Sequence, residues 1–374
     1  MNICYFGTYD KTYTSNKFFL QALKENNVSV LEINAHTEVT KLTTTAEMSW
    51  WQIIKRISRK YRILTEIIKH YRELKDVDVI YVGYPGHVDV FLAYIVAKIF
   101  KKKLVFNPLL LIYVGFTEEQ SILNKKSLLG KVIKTGETLS YKLCDMVFAD
   151  TPYQEKFLRE DFGINQKKLR VLPIGADNTF YKYTPITTNI KKKLTVVYYG
   201  LYSPIHGIQH LVEAANILKD DKDISFIFIG QGNTFEENYN RAQQLELTNI
   251  TFIHDVPQSE HPQYMERADV FLGFLAKHPS IERVIANKIY QGMALGKVVL
   301  TADAVVIRSV FSHKENMYLV KPADPKAIVA ALIELKSNPA LRIKIAENGH
   351  KMFIKEFTPK AVGKQLVEYI KEIL

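Results

Sequence analysis

Short runs of β-branched and aromatic residues alternate, twice over, with longer stretches of helical period, and this constrains the fold more than any other feature. Buried strands of this kind, each followed by a helix, read as parallel sheets covered by crossover helices. The first series has strand candidates at 3–6, 28–33, 79–82, 104–106, 146–149 and 170–173, with helical patterns at 17–25, 51–74 and 88–99. The second has strand candidates at 195–199, 224–229, 250–254, 270–274, 298–301 and 318–320, with helices starting at Gly207, Phe235, Tyr264, Asn287 and Pro325. Between them lies Tyr181 to Lys193, YKYTPITTNIKKK, a polar stretch with Pro185 and no period, which reads as a linker. The expected organisation is a first α/β domain over 1–180, the linker 181–193 and a second α/β domain over 194–355. An amphipathic tail, 356–374, then packs back on the first domain.

Composition narrows the class. The 374 residues suffice for two domains with a core each. Only Cys4 and Cys144 are present, both in apolar surroundings, which excludes a disulfide framework. The opening MNICYFGTYD has no basic region followed by an apolar one, so it reads as a first strand and points to a cytoplasmic protein. The apolar runs near Val88 and Leu104 are interrupted and fall short of the ~20 residues of a membrane span. The net charge of +11 is concentrated. Between Trp50 and Lys75, eight basic side chains face only Glu66 and Glu73.

Three loops of the second half sit at strand-to-helix junctions, where free N–H groups and a helix dipole can hold phosphate. Gly200-Leu-Tyr202-Ser203-Pro-Ile-His206-Gly207 follows VVYYG, and glycine at both ends permits close approach of a ligand. Gly230-Gln-Gly232 follows ISFIFIG but lacks the rest of a dinucleotide fingerprint. Taken alone, each is equally an ordinary βα turn. The third stretch, His278 to Asp303, places Arg283, Asn287 and Lys288 at or before the start of a short helix, with Gln291 one turn on. A solvated polar helix start is the competing reading.

Asn287-Lys-Ile-Tyr-Gln291-Gly-Met293-Ala-Leu-Gly296-Lys-Val-Val, with Ala268-Asp269-Val270, the Gly200…His206-Gly207 loop and Glu315-Asn316…Asp324-Pro, resembles glycosyltransferase family 4. Its members are retaining enzymes of GT-B fold that use nucleotide-diphosphate sugars. The resemblance covers nearly all of the second half, and the first half more loosely through Gly7 and the strand before Asn107. It implies a GT-B fold of two facing Rossmann-like domains, with a C-terminal helix crossing back to the first. It further implies a UDP- or GDP-type sugar nucleotide as donor, and no cofactor or metal. Two departures stand out. The family's E-x7-E pair is replaced by Arg283 and Gln291, with Glu282 one place off register; in the glycine loop Leu201 and His206 stand where Arg and Lys are usual. Arg283 and Lys288 are accordingly expected to take the diphosphate charge, and Gln291 the ribose.

On the acceptor side the candidates are His87, a potential base near neutral pH, and Asn107, whose amide can orient but not accept a proton. Asp76-x-Asp78, the nearest thing to a metal signature, precedes its strand and reads as a solvated entrance. The basic 50–75 segment has apolar residues at helical spacing, so it is either a helix covering the first sheet or an interfacial helix on anionic lipid at the inner face of the membrane. No nucleic-acid module accompanies the charge. The expected activity is transfer of a sugar to a glycan, lipid-linked, in cell-surface polysaccharide synthesis. Two alternatives remain: a silent GT-B protein that binds sugar nucleotide or glycan and scaffolds a partner, and a GT-B isomerase or phosphorylase.

Overall fold

Every strand expected from the sequence forms, and the strands assemble into two parallel six-stranded sheets. The computed structural model describes residues 1–35, 62–119, 122–186, 193–254, 256–257 and 260–374. Contacts divide the chain into two units: 1–117, 121–174 and 359–374 in the first, 118–120 and 175–358 in the second.

The first sheet contains β1 (Asn2–Gly7), β2 (Ser29–Asn34), β3 (Val79–Val82), β4 (Lys103–Phe106), β5 (Met146–Ala149) and β6 (Leu169–Val171). Its order is β2-β1-β3-β4-β5-β6. Strands β3 and β5 are buried along their whole length, as parallel strands covered on both faces must be. Helices α1 (Thr14–Glu25), α2 (Asp89–Phe100), α3 (Leu128–Leu143) and α4 (Pro152–Asp161) connect them. Ser127 and Thr151 cap α3 and α4 through their hydroxyls. Asp78 is used structurally, its carboxylate accepting the Asn2 N–H at 2.8 Å.

The second sheet contains β7 (Leu194–Tyr199), β8 (Ile224–Ile229), β9 (Ile250–Ile253), β10 (Val270–Leu272), β11 (Val298–Ala302) and β12 (Tyr318–Val320). Its order, β12-β11-β10-β7-β8-β9, places the topological switch between β7 and β10, where doubly wound sheets open a crevice for ligands. The helices are α5 (Ile208–Ile217), α6 (Phe235–Gln244), α7 (His261–Met265), α8 (Asn287–Ala294), α9 (Val305–Arg308), α10 (Pro325–Ser337) and α11 (Pro339–Glu356).

Two expected helices differ. The helix expected from Tyr264 starts at His261, because Pro262 is suited to a first turn, and it ends at Met265 so that Ala268-Asp269 can lead into β10. Of the helix expected over 51–74, residues 51–61 lie outside the described residues. Beyond them 62–69 is helical, a turn at 70–72 interrupts it, and Glu73–Asp76 resumes, which lets Leu74 and Val77 enter the core ahead of β3. Among the described residues no helix is long and apolar enough to cross a membrane.

The last helix, α12 (Pro359–Lys371), belongs to the first unit and packs along α1. The approach is close enough to need glycine: a Cβ at Gly363 would run into the Ala22 carbonyl and the Asn26 amide. Asn26 also bridges the pair, donating to Ala22 O at 2.8 Å and Lys360 O at 3.1 Å. Gly363→Val is therefore expected to force the two helices apart and destabilise the first unit by about 1–3 kcal/mol, read from its guanidinium unfolding transition.

Candidate functional site

The loops after β7 and β8 hold each other. Tyr202 N–H donates to Gln231 O at 2.9 Å and Gly200 N–H to Ile229 O at 3.0 Å. A Cβ at Gly230 would collide with the Gly200 carbonyl, and one at Gly232 with the Tyr202 backbone. The G-x-G glycines thus serve loop-on-loop packing, and Gly200 is left as the position that faces the switch point. Tyr202 turns its ring into the core, edge-on to Tyr198 and Phe235. Ser203 leads into a 3-10 turn, Pro204–His206, closed by Gly207 at φ 72°, where a side chain would strike the Ala276 backbone.

Into this arrangement α8 sends Lys288. The side chain is 7% exposed, its Nζ lies 4.2 Å over the Tyr198 ring, and it has no hydrogen-bond partner. A Cβ on Gly200 would stand 2.8 Å from that Nζ, so the bare glycine is what leaves room for the amine. Burial pulls the Lys288 pKa down from 10.5 to about 7. One turn on, Gln291 is 5% exposed and its Oε1 is also without a partner. The helix is preceded by Ala286, which offers no side-chain cap; its carbonyl accepts the Ile289 N–H at 2.9 Å, and no side chain of that residue takes the N–H groups of the first two positions. Asn287, half-buried, opens the first turn. Gly200 thus faces the Lys288 amine, with Asn287 and Gln291 on the same helix: an arrangement able to take an anion with a polar flank.

His206 joins them but carries no charge. Its Nδ1 lies 2.5 Å from the Tyr198 hydroxyl, which itself donates to Leu201 O at 2.7 Å, so the ring N–H is the donor. Burial, and secondarily the neighbouring Lys288, push the His206 pKa well below the usual imidazole value. The lysine usual at this position is thus not replaced by a second cation. Arg283 is held by Glu118, Nη2 to Oε2 at 2.5 Å, both side chains largely buried. Sequence reasoning passed over Glu118 and its neighbour Glu119, which lie on a π-helical turn, Gly115–Glu119, far from Arg283 in sequence. Burial raises the Glu119 carboxyl above its ordinary range. Glu282, out of register with the family's glutamate, caps α9 by accepting the Val305 N–H at 2.7 Å.

The remaining predicted residues lie in the first unit. Gly7 ends β1 beside Asp89, whose carboxylate accepts from Thr8 N at 2.7 Å and Thr8 Oγ1 at 2.9 Å. A carboxylate already occupies these donors, and an anion would be repelled there. His87 is 4% exposed, with Nε2 3.3 Å from the Tyr141 hydroxyl and 3.4 Å from Glu137 Oε1. Glu137 in turn accepts the Ile112 and Tyr113 N–H groups at 2.8 Å, so His87 is tied into a buried structural network. Asn107 ends β4 with neither amide atom paired, in a small depression lined by Tyr5, Asn16, Tyr81 and Tyr84. Asp150, which follows β5 and was not singled out from the sequence, has its carboxyl pushed up by burial to about 8.

The chain is thus built of two doubly wound α/β units, the second with a buried, unpartnered amine beside the loop at its switch point. Residues 182–352 match the family model described as glycosyl transferases group 1. The chain is 21% identical over 209 residues to an MMP alpha-(1->4)-mannosyltransferase of Mycolicibacterium hassiacum, covering 55% of this chain and 49% of that protein. It is 21% identical over 253 residues to a mannosylfructose-phosphate synthase of Agrobacterium fabrum, covering 63% and 54%. The chain thus spans about half the length of the curated relatives it matches. Among solved structures it is similar to Anabaena HepE in complex with UDP and glucose, TM-score 0.70 at 14% identity over the whole of both chains. It is also similar to sucrose-phosphate synthase from Thermosynechococcus elongatus, TM-score 0.69 at 15% identity, covering 100% of this chain and 98% of that one. These likenesses establish the GT-B fold.

The Lys288 environment has a pH signature. An amine with a folded pKa near 7 and an unfolded pKa near 10.5 leaves the unfolded state binding more protons between those values, so stability rises with pH across that window. Lys288→Met is expected to raise the unfolding midpoint of the free protein most below pH 7, with the difference shrinking toward pH 10.5. Paired melting curves across that range check it.

Proposed function

We propose that the chain is a retaining glycosyltransferase that moves a sugar from a UDP- or GDP-type nucleotide sugar, without a metal, to a lipid-linked glycan acceptor of cell-surface polysaccharide synthesis. The observation that carries the reading is Lys288: a buried amine with no partner, set on a glycine loop beside an uncapped helix start. A diphosphate supplies the charge that such an amine lacks. The family match over the same residues and the names of the relatives support the sugar-nucleotide class.

The mechanism follows from the leaving group. As the bond between the anomeric carbon and the phosphate oxygen lengthens, its electron pair leaves with the diphosphate and positive charge spreads over the ring. Lys288, protonated in the presence of the dianion, and the α8 N–H groups stabilise that growing negative charge more than they stabilise the bound donor, which is what lowers a barrier. Gln291, whose Oε1 has no partner, is assigned to the ribose in this reading. In a same-face displacement the acceptor hydroxyl approaches beside the departing phosphate, and its proton passes to a phosphate oxygen. No separate base is then required, in keeping with a neutral His206, a tied-in His87 and an amide at Asn107. Asp150, beside Tyr81 and with its carboxyl pushed up by burial, is suited to orienting an acceptor hydroxyl.

One observation favours a second reading, a sugar-nucleotide-binding protein without turnover: Arg283 is already neutralised by Glu118. The test is nucleoside diphosphate release from a panel of UDP-, GDP-, ADP- and TDP-sugars, with and without membrane lipid extract. Release of one diphosphate that rises with extract and falls roughly 100-fold or more in Lys288→Met is expected. Tight binding of a nucleotide with no release under any condition would establish the silent protein instead.

A further inference from the structure

Helices α2 and α3 follow β3 and β4, and the sheet proceeds in one direction from β3 to β5, so right-handed crossovers put both helices on the same face. Their inner sides enter one core cluster through residues such as Val90, Ala93 and Tyr141. The outer sides therefore point the same way, and they are not polar. Val88 and then Ile95 and Ile99 of α2, with Leu128, Leu129 and Val132 of α3, are each 54–80% exposed. Single exposed apolar residues are ordinary; six of them on two adjoining helices form a surface that favours leaving water.

The exposed charges of these two helices and their ends are of one sign. Lys98 and Lys101 flank the end of α2, and Lys126 and Lys131 the start of α3, all exposed. The two acids of these helices are turned away from it: Asp89 is bonded to Thr8, and Glu137 is buried against the Ile112 and Tyr113 N–H groups. Lysine is depleted from protein–protein interface cores, whereas lysines ringing exposed leucines suit a bilayer, where the stems lie along acyl chains and the ammonium groups reach the phosphates. We infer that the outer face of α2 and α3 docks on an anionic lipid bilayer, with Leu128 and Leu129 below the headgroup level and the four lysines among the headgroups. This surface is made of residues outside the basic 50–75 segment, whose Tyr71 packs on Phe100 at the end of α2, and it does not depend on the chemistry of the second unit.

Flotation of the full chain with phosphatidylcholine vesicles, with and without phosphatidylglycerol, tests it. The chain is expected to float with the anionic vesicles, and Leu128→Ser/Leu129→Ser/Val132→Ser to weaken that binding more than about tenfold while leaving the unfolding transition in place. Lys126→Glu/Lys131→Glu should weaken binding to the anionic vesicles alone and flatten its salt dependence. Absence of flotation, equal flotation with both vesicle types, or flotation undiminished in both variants would overturn the inference. So would a serine variant that abolishes self-association in the ultracentrifuge while floating normally, since the face would then be a contact between copies of the chain.

Discussion

An amine held out of water with nothing to bond is the interaction around which the second unit is organised. Removing a lysine from solvent without a partner is unfavourable by several kcal/mol if the charge is kept, so the fold must supply compensating packing. It does so through Tyr198, whose ring lies under the amine and whose hydroxyl ties Leu201 and His206 into the same loop. The glycine at 200 is the other half of the arrangement, since any side chain there would occupy the place of the amine. Loop, strand end and helix start are thus fitted to one another in the free chain.

The first unit solves a different problem at the matching edge of its sheet. Its strand ends are closed by paired groups: Asp89 on Thr8, Glu137 on Ile112, Tyr113 and Tyr141, and Asn16 on Tyr5. Against that background the unpaired amide of Asn107 and the Tyr81 hydroxyl stand out, because buried polar atoms are normally satisfied. The contrast marks where this unit has kept hydrogen-bonding capacity in reserve.

The sheets were legible because parallel strands buried on both faces read as apolar runs, and runs such as VVYYG and ISFIFIG leave no second interpretation. Gly200 and Lys288 were each legible as candidates at strand-to-helix junctions of one sheet, but their approach to one another was not. What could not be read were properties that arise only from distant partners. That His206 is neutral depends on Tyr198 and Lys288 together; that Arg283 is paired depends on Glu118, 165 residues earlier. Tyr202 reads as a ligand-contacting residue of the glycine loop, yet its ring is buried in the core beside Tyr198 and Phe235. The early start of α7 was signalled by Pro262, but the short distance to β10 fixed where it ended.

The placement of α12 bears on how the molecule is made. Phe18, Phe19 and Ala22 of α1 are buried in the finished first unit, which is completed by residues 359–374. During synthesis that sheet emerges long before its covering helix, and it must wait, with one side incompletely clothed, while the entire second unit is translated. The interval is a window for chaperone engagement, and a ribosome stalled anywhere in the second unit would display an unfinished α1 surface to the cell.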